Sequence, residues 1–436
     1  MDLAFHYPAY RRYWLARLIS SAGSALAPVA MAFAVLHIDG RAAALGWVLA
    51  AATAPQLLFT LVGGVVADRV PRARVLVGSN LLAAASEGAF AVAVLTGVAT
   101  VGQAIGAAFI TGTAAAFSVP ANQGTIKTLV PRRLIGQATA LQRSARNTTK
   151  IAGPAVAGVL VSAVSPGWAL AANALSFVVA AWIIARLEGS GRSGRYLAAE
   201  YRPDLPLTEP PAIVVRTFRA TFRAAFRADF RADFRADLRQ GWQGFRSRRW
   251  LTFVTAQGSV GVGVWLVAFQ LLGPVYADQR LGGPQAWGTI AAAFAAGLFA
   301  GSLTSVIRPP DRAGLVACGN YAAAGLFPLA LSLGGNLVVL AGAAAIAGFC
   351  VDLALSSWST YLQLSIPDEL QSRVESYNTL GHLIPVPAGY LFAGFAVGHL
   401  GIPAVSAVLV LLGAVVAVLP LASPEIRDMS IKRASA

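Results

Sequence analysis

Charge is scarce in this chain, and negative charge scarcer still. Charged residues make up 12% of its 436 positions, with 19 Asp and Glu against 34 Lys and Arg. Soluble domains carry about twice that charged fraction. Cysteine is nearly missing: Cys318 and Cys350 both fall in apolar stretches. That excludes a disulfide framework and reads as a pair of buried small hydrophobes. Also missing are a Walker loop, an H-E-x-x-H pair, Cys/His spacing for a metal and a G-x-S-x-G elbow. ATP-driven transport, hydrolysis and a resident metal or cofactor therefore have no site to occupy, and an enzyme is not expected.

What the chain has in quantity is hydrophobicity, at 56% of residues with a mean hydropathy of +0.64. A membrane-spanning helix needs about 20 mostly apolar residues. Such segments lie near 13–36, 46–67, 73–96, 101–124, 138–163 and 168–186, and after a polar gap near 251–277, 286–307, 313–333, 337–362, 374–398 and 402–421. Their lengths exclude a β-barrel, whose strands are short and alternating. The N-terminal basic residues, apolar run and small residues have the parts of a signal peptide, but with so many spans following, an uncleaved first span is expected. The fold class is all-α integral membrane, with twelve transmembrane helices as six, a break, and six more. The expected divisions are a first bundle at 1–187, a linker at 188–249, a second bundle at 250–423 and a tail at 424–436.

Basic residues orient the spans. With the N-terminus inside, 29 Lys and Arg fall on or beside cytoplasmic segments, while only Arg41 and Arg280 fall on outer loops. The net charge of +15 is thus a topology signal and not a nucleic-acid footprint. Both termini are expected in the cytoplasm, with the lipid bilayer as partner and the chain acting as a monomer.

The linker contains "FRATFRAAFRADFRADFRADLRQG" at 218–241, a four-residue repeat. On an α-helix a period of four advances about 40° per repeat, so the aromatic positions spiral through about 200° instead of forming a stripe. Successive Arg stand at i,i+4, where like charges repel, and each Asp sits two positions away, out of pairing range. An expanded low-complexity linker is the plain reading. A helix lying on anionic lipid is a second, and nucleic-acid binding a third.

The halves also echo each other. Aligning Pro131 with Pro367, an offset of 236, places Leu134 on Leu370 and Gln137 on Arg373. A weak internal repeat around a linker is the signature of two pseudo-symmetric bundles enclosing a midplane site. Charges within spans mark functional candidates. Arg143, Arg146 and Lys150 fall within about 60° of one helix face. Arg143 is shallow enough to snorkel to the surface. Lys150 lies about 21 Å along the helix from Gly136, deep enough to need a partner. Glu87, Asp352 and His382 are also intramembrane.

These residues resemble a known family. "GGVVADRVPRARVL" at 63–76 is similar to the loop 2–3 signature of the major facilitator superfamily. "AAAFSVPANQGTIKTLVP", "LQRSARNTTKIAGPAVAGVL", "NALSF" and "GFRSRRWL" resemble its bacterial branch of enterobactin-type siderophore exporters and macrolide efflux pumps. The likeness spans nearly the whole chain outside about 190–236. Two positions depart from the pattern: Pro71 stands where Gly is common, and Ser24 where many relatives carry Asp in the first helix.

The resemblance implies the major facilitator fold in the bacterial inner membrane. It also implies a cytoplasmic latch built from Gly64, Asp68, Arg69 and Arg72, with Asp68 meeting the N-terminus of helix eleven. Gly153, Pro154 and Gly158 resemble the antiporter signature of helix five, a bend made by Pro and small residues. In this fold helices one, four, seven and ten line the cavity, which makes Asp352 the better proton carrier and Glu87 a structural acid. Lys150 then serves a shared structural pair or a substrate contact. His382 is a second titratable group or a hydrogen-bonded bystander. The expected walls are Ser21, Ser24, Phe117, Asn122, Trp265, Gln270, Ser356, Trp358 and Tyr361, an amphipathic surface suited to ring-containing substrates. The function expected is proton-coupled export, as an antiporter, of a small molecule such as a drug or siderophore-like metabolite. Alternatives are an importer or uniporter on the same fold, or a non-transporting sensor or scaffold.

Overall fold

A computed structural model describes residues 4–188, 242–418 apart from 244, 309 and 367, and residue 429. The "FRAD" repeat and the tail, Met429 excepted, lie outside the described residues. Six helices form the first half: α1 (Pro8–Asp39), α2 (Ala42–Arg69), α3 (Arg72–Leu95), α4 (Val101–Leu129), α5 (Ile135–Ala163) and α6 (Pro166–Glu188). In the second half α7 starts as Arg249–Leu266, passes through a π segment at Val267–Leu272 and continues as Gly273–Arg280. Then come α8 (Pro284–Ile307), α9 (Ala313–Ala324 and Leu326–Ser332) and α10 (Leu337–Ser365). The last two spans are one run of helix, Asp368–Leu383 followed by Pro385–Val418, broken at Gly401 where φ is 77°. The part before Gly401 is α11 and the part after it α12.

Among the described residues, ten helices are long and apolar enough to cross a membrane. The count becomes twelve for two physical reasons. α5 carries Arg143, Arg146 and Lys150, which lower its hydropathy without shortening it. The break at Gly401 divides a 42-residue apolar run into two spans. The chain is thus a multi-pass membrane protein of two pseudo-symmetric bundles.

Proline sets several boundaries. Val70, Val130 and Ile366 all end a helix in extended geometry, each directly before a proline. A proline ring clashes with a helical residue before it, so the helix stops there. Val130 and Ile366 keep the offset of 236 read from the sequence. Gly112 and Gly348 keep it too: Gly112 packs on the Ala52 carbonyl of α2, and Gly348 on the Phe294 carbonyl of α8. Lipid supplies no hydrophobic drive between helices, so close backbone approach through small residues carries the packing.

Within the first half α1 packs on α5 and α6, α2 on α4, and α3 on α4 and α6; within the second, α8 packs on α10 and α7 on α11 and α12. The halves meet along two seams, α5 with α8 and α2 with α11. Both seams are glycine contacts. A Cβ at Gly158 would stand 2.7 Å from the Pro284 carbonyl oxygen, and one at Gly288 2.6 Å from that of Pro154. A Cβ at Gly46 would stand 2.6 Å from the Tyr390 carbonyl oxygen, and one at Gly394 3.0 Å from that of Ala42.

Both seams lie at the end of the molecule remote from the termini. There a single apolar core joins the halves, including Phe33, Leu45 and Leu170 from the first and Leu271, Trp287 and Tyr390 from the second. At the terminal end each half has its own core, one around Tyr10, Tyr13 and Leu76 and another around Leu251, Leu362 and Val374. The molecule is joined at the far end and parted toward the termini.

Candidate functional site

The site begins with how α1 fixes α5. Tyr10 Oη donates to the Ala138 carbonyl at 2.7 Å, and one turn later Trp14 Nε1 donates to the Leu141 carbonyl at 3.3 Å. Tyr13 Oη donates to Asn122 Oδ1 on α4 at 2.9 Å, tying the third helix in. A further turn along α1 stands Arg17, whose charge is within reach of Arg146 on α5. Its Nε is shielded from solvent and makes no hydrogen bond. Gly153 continues this α1–α5 contact by packing on Ala25.

One turn beyond Arg146, Lys150 feels both that cation and Asp352 of α10, on the other half. Asp352 is half-buried and accepts a long hydrogen bond from Ser356 Oγ at 3.5 Å. Pro154 has no N–H for the carbonyl of Lys150, four residues back, so that carbonyl is released from the helical ladder. The inner end of the cation stripe on α5, Lys150, thus lies within electrostatic reach of a carboxylate on α10, and Arg17 of α1 within reach of Arg146.

The remaining candidates are spread through the molecule. Glu87 is 3% exposed inside the first half, where Asn173 Nδ2 donates to its carboxylate and Ser176 Oγ donates to the Asn173 carbonyl. His382 Nε2 lies against Gly258 of α7, buried and without a hydrogen-bond partner. Its ring borders a cavity of about 340 Å³ in the second half, shared with Trp358, Ser359, Gln363, Asn378 and Thr379. Trp358 and Tyr361 stack at the terminal end, both edge-on to Trp250. Trp265 sits in the joined core, 4.9 Å from Phe269 between ring centres. Phe269 in the π segment is flanked by Trp287, Phe294 and Phe327. Gln270, next in that segment, accepts from Tyr390 Oη at 3.0 Å. Phe117 stacks on Phe59, Ser21 is half-buried and Ser24 exposed.

Of the latch residues, the side chains of Gly64, Asp68 and Arg69 lie outside the described residues. Arg72 Nη1 donates to the Gly124 carbonyl near the end of α4 at 2.9 Å. Any side chain at Gly124 would collide with that guanidinium. The C-terminal carbonyls of a helix attract a cation, so this contact pins the start of α3 to α4. Pro154 and Gly158 of the helix-five signature are the α5 side of the seam with α8. Among the described residues no cluster of His, Cys, Asp and Glu is suited to a metal.

Comparison with known proteins agrees with the fold. Residues 3–200 match the family model described as transmembrane secretion effector. Over 195 residues the chain is 30% identical to the multidrug efflux pump Tap of Mycolicibacterium fortuitum, covering 42% of this chain and 47% of that protein. The chain thus matches about half the length of this relative. A POT family transporter solved with 5-aminolevulinic acid superposes with a TM-score of 0.69 at 13% identity, covering 96% of each chain. The nucleoside transporter NupG superposes with a TM-score of 0.69 at 11% identity, covering 95% of this chain and 98% of its own. Residues 3–200 thus resemble that family, and the fold of the chain is that of these solved transporters.

Proposed function

We propose that this chain, which carries the major facilitator fold, is a secondary transporter exporting amphipathic small molecules by alternating access with proton coupling. The observation that carries this reading is that Lys150 of one half and Asp352 of the other lie within electrostatic reach of each other. Opposite charges between two bodies that rock against each other hold one arrangement of those bodies in preference to another. A proton on Asp352 removes that attraction, which couples proton loading to the change of state. The two glycine seams are the contacts that part when the far end opens. In this reading the terminal end faces the cytoplasm, and the protein works as a monomer in the bacterial cytoplasmic membrane. Export is favoured by the likeness of part of the chain to an efflux pump and of residues 3–200 to secretion effectors.

Everted membrane vesicles test this. Vesicles containing the protein should accumulate an amphipathic dye when a proton gradient, acid inside, is imposed. Asp352→Asn should lose gradient-driven accumulation and keep dye exchange across unenergised vesicles. Full proton-driven accumulation in Asp352→Asn would remove Asp352 from the role, and accumulation only in right-side-out vesicles would make the protein an importer.

A further inference from the structure

The charge between the halves does not balance. Arg17, Arg146 and Lys150 converge from α1 and α5, while the described residues opposite them supply one carboxylate, Asp352. Arg143 adds a fourth cation on the same face of α5, toward the terminal end. Arg41 pairs with Asp39 at the far end, away from these cations. Arg17 holds its Nε buried and unbonded. Arg17 is half-buried while Arg146 and Lys150 are open to the space between the halves, so an anion entering that space meets all three cations. The second titratable acid buried in the first half, Glu87, is turned into the α3–α6 contact and bonded to Asn173, so it offers these cations nothing.

We infer that the substrate is an anionic amphiphile whose carboxylate, sulfonate or phosphate group is held by Arg17, Arg146 and Lys150. This deepens the transport reading and rests on it for the word substrate. Guanidinium groups match planar or tetrahedral oxyanions through paired N–H donors, and Lys adds a point charge. The released carbonyl of Lys150 is available to a neutral polar donor of such a molecule. An anion on Lys150 relieves the attraction to Asp352 from the opposite side to a proton on Asp352. Either cargo, the anion leaving or the proton entering, therefore frees the halves. A potential negative inside also drives an anion outward, by about 2.3 kcal/mol per charge per 100 mV.

Two xanthene dyes of similar ring size and opposite charge decide the matter, carboxyfluorescein and rhodamine 6G. Their binding to the purified full chain in uncharged maltoside micelles is read by fluorescence anisotropy. The wild type should bind carboxyfluorescein about tenfold or more tighter than rhodamine 6G, and added salt should weaken only the former. Arg146→Gln and Lys150→Gln should each weaken carboxyfluorescein by about tenfold, while Lys150→Arg retains it and Asp352→Asn binds it more tightly. If a neutralised variant fails to fold, the dye preference and salt dependence of the wild type still decide. Equal or tighter binding of rhodamine 6G, or carboxyfluorescein binding unchanged in a folded Arg146→Gln, Lys150→Gln double variant, overturns the proposal. Binding with the expected preference but without flux in vesicles would instead sink the transport reading and leave this one standing.

Discussion

Glu87 and Asp352 are both acids within spans, yet the structure surrounds them differently. Glu87 is sealed into the first half with Asn173 as its donor, whereas Asp352 faces a lysine of the other half. A structural acid and a coupling acid should respond differently to isosteric change. Glu87→Gln should keep transport and most of the stability, because an amide still bonds to Asn173. Glu87→Ala should lower the thermal unfolding midpoint, since a buried amide left without its partner costs about 1–3 kcal/mol. Loss of proton-driven transport in a stably folded Glu87→Gln would place the proton at Glu87 instead. Both acids were legible in the sequence as charges in apolar runs, and so was Lys150. Arg17 was not: counted along the chain, it is one more basic residue flanking the first span. Its signal lay in helical spacing, with Tyr10, Tyr13 and Trp14 on the same side of α1 committing that face to α4 and α5.

At the scale of elements, the helices and their ends followed from hydropathy, the X-Pro stops and the 236-residue offset, because each is a local property of the backbone. The π segment of α7 had no such mark. It is set by tertiary packing, where Phe269 fits among four aromatic rings and Gln270 turns to Tyr390. The seams were half legible. Gly158 stood out in the helix-five signature, but Gly46, Gly288 and Gly394 lie in runs of small residues whose partners only the fold reveals. Gly288→Val should push α8 off Pro154 and Gly158 and disfavour the joined far end by about 1–3 kcal/mol. Thiol-reactive labelling of a cysteine placed in the far-end core, at Ala157, should then speed up. Unchanged labelling would mean that the seam does not govern access from that side. The expected Asp68 latch is tested the same way: Asp68→Asn should shift the molecule further toward the terminal-open state by about 1 kcal/mol. Interspin distances at the terminal end would be unmoved if Asp68 holds no such contact.

For the whole molecule, the charge distribution and the joined far end agree on one arrangement. Of the two basic residues expected on the outer side, Arg41 is paired with Asp39, so little free positive charge remains there. The linker joins halves that already meet through two seams, and loop length costs only about 0.6 kcal/mol per doubling. Removing residues 221–237 should therefore leave insertion and transport largely intact, as vesicle uptake would show; normal insertion with lost transport would make the repeat a working element. The account turns on the halves rocking about their midplane charges. Its most direct test places spin labels in a variant with Cys318 and Cys350 replaced by Ser. One pair is at Val98 and Leu333 on far-end loops, and the other at Arg74 and Ile307 at the terminal end. Acidification or an anionic dye should lengthen the first distance while the second shortens; distances that stay fixed, or that grow and shrink together, would contradict alternating access in this protein.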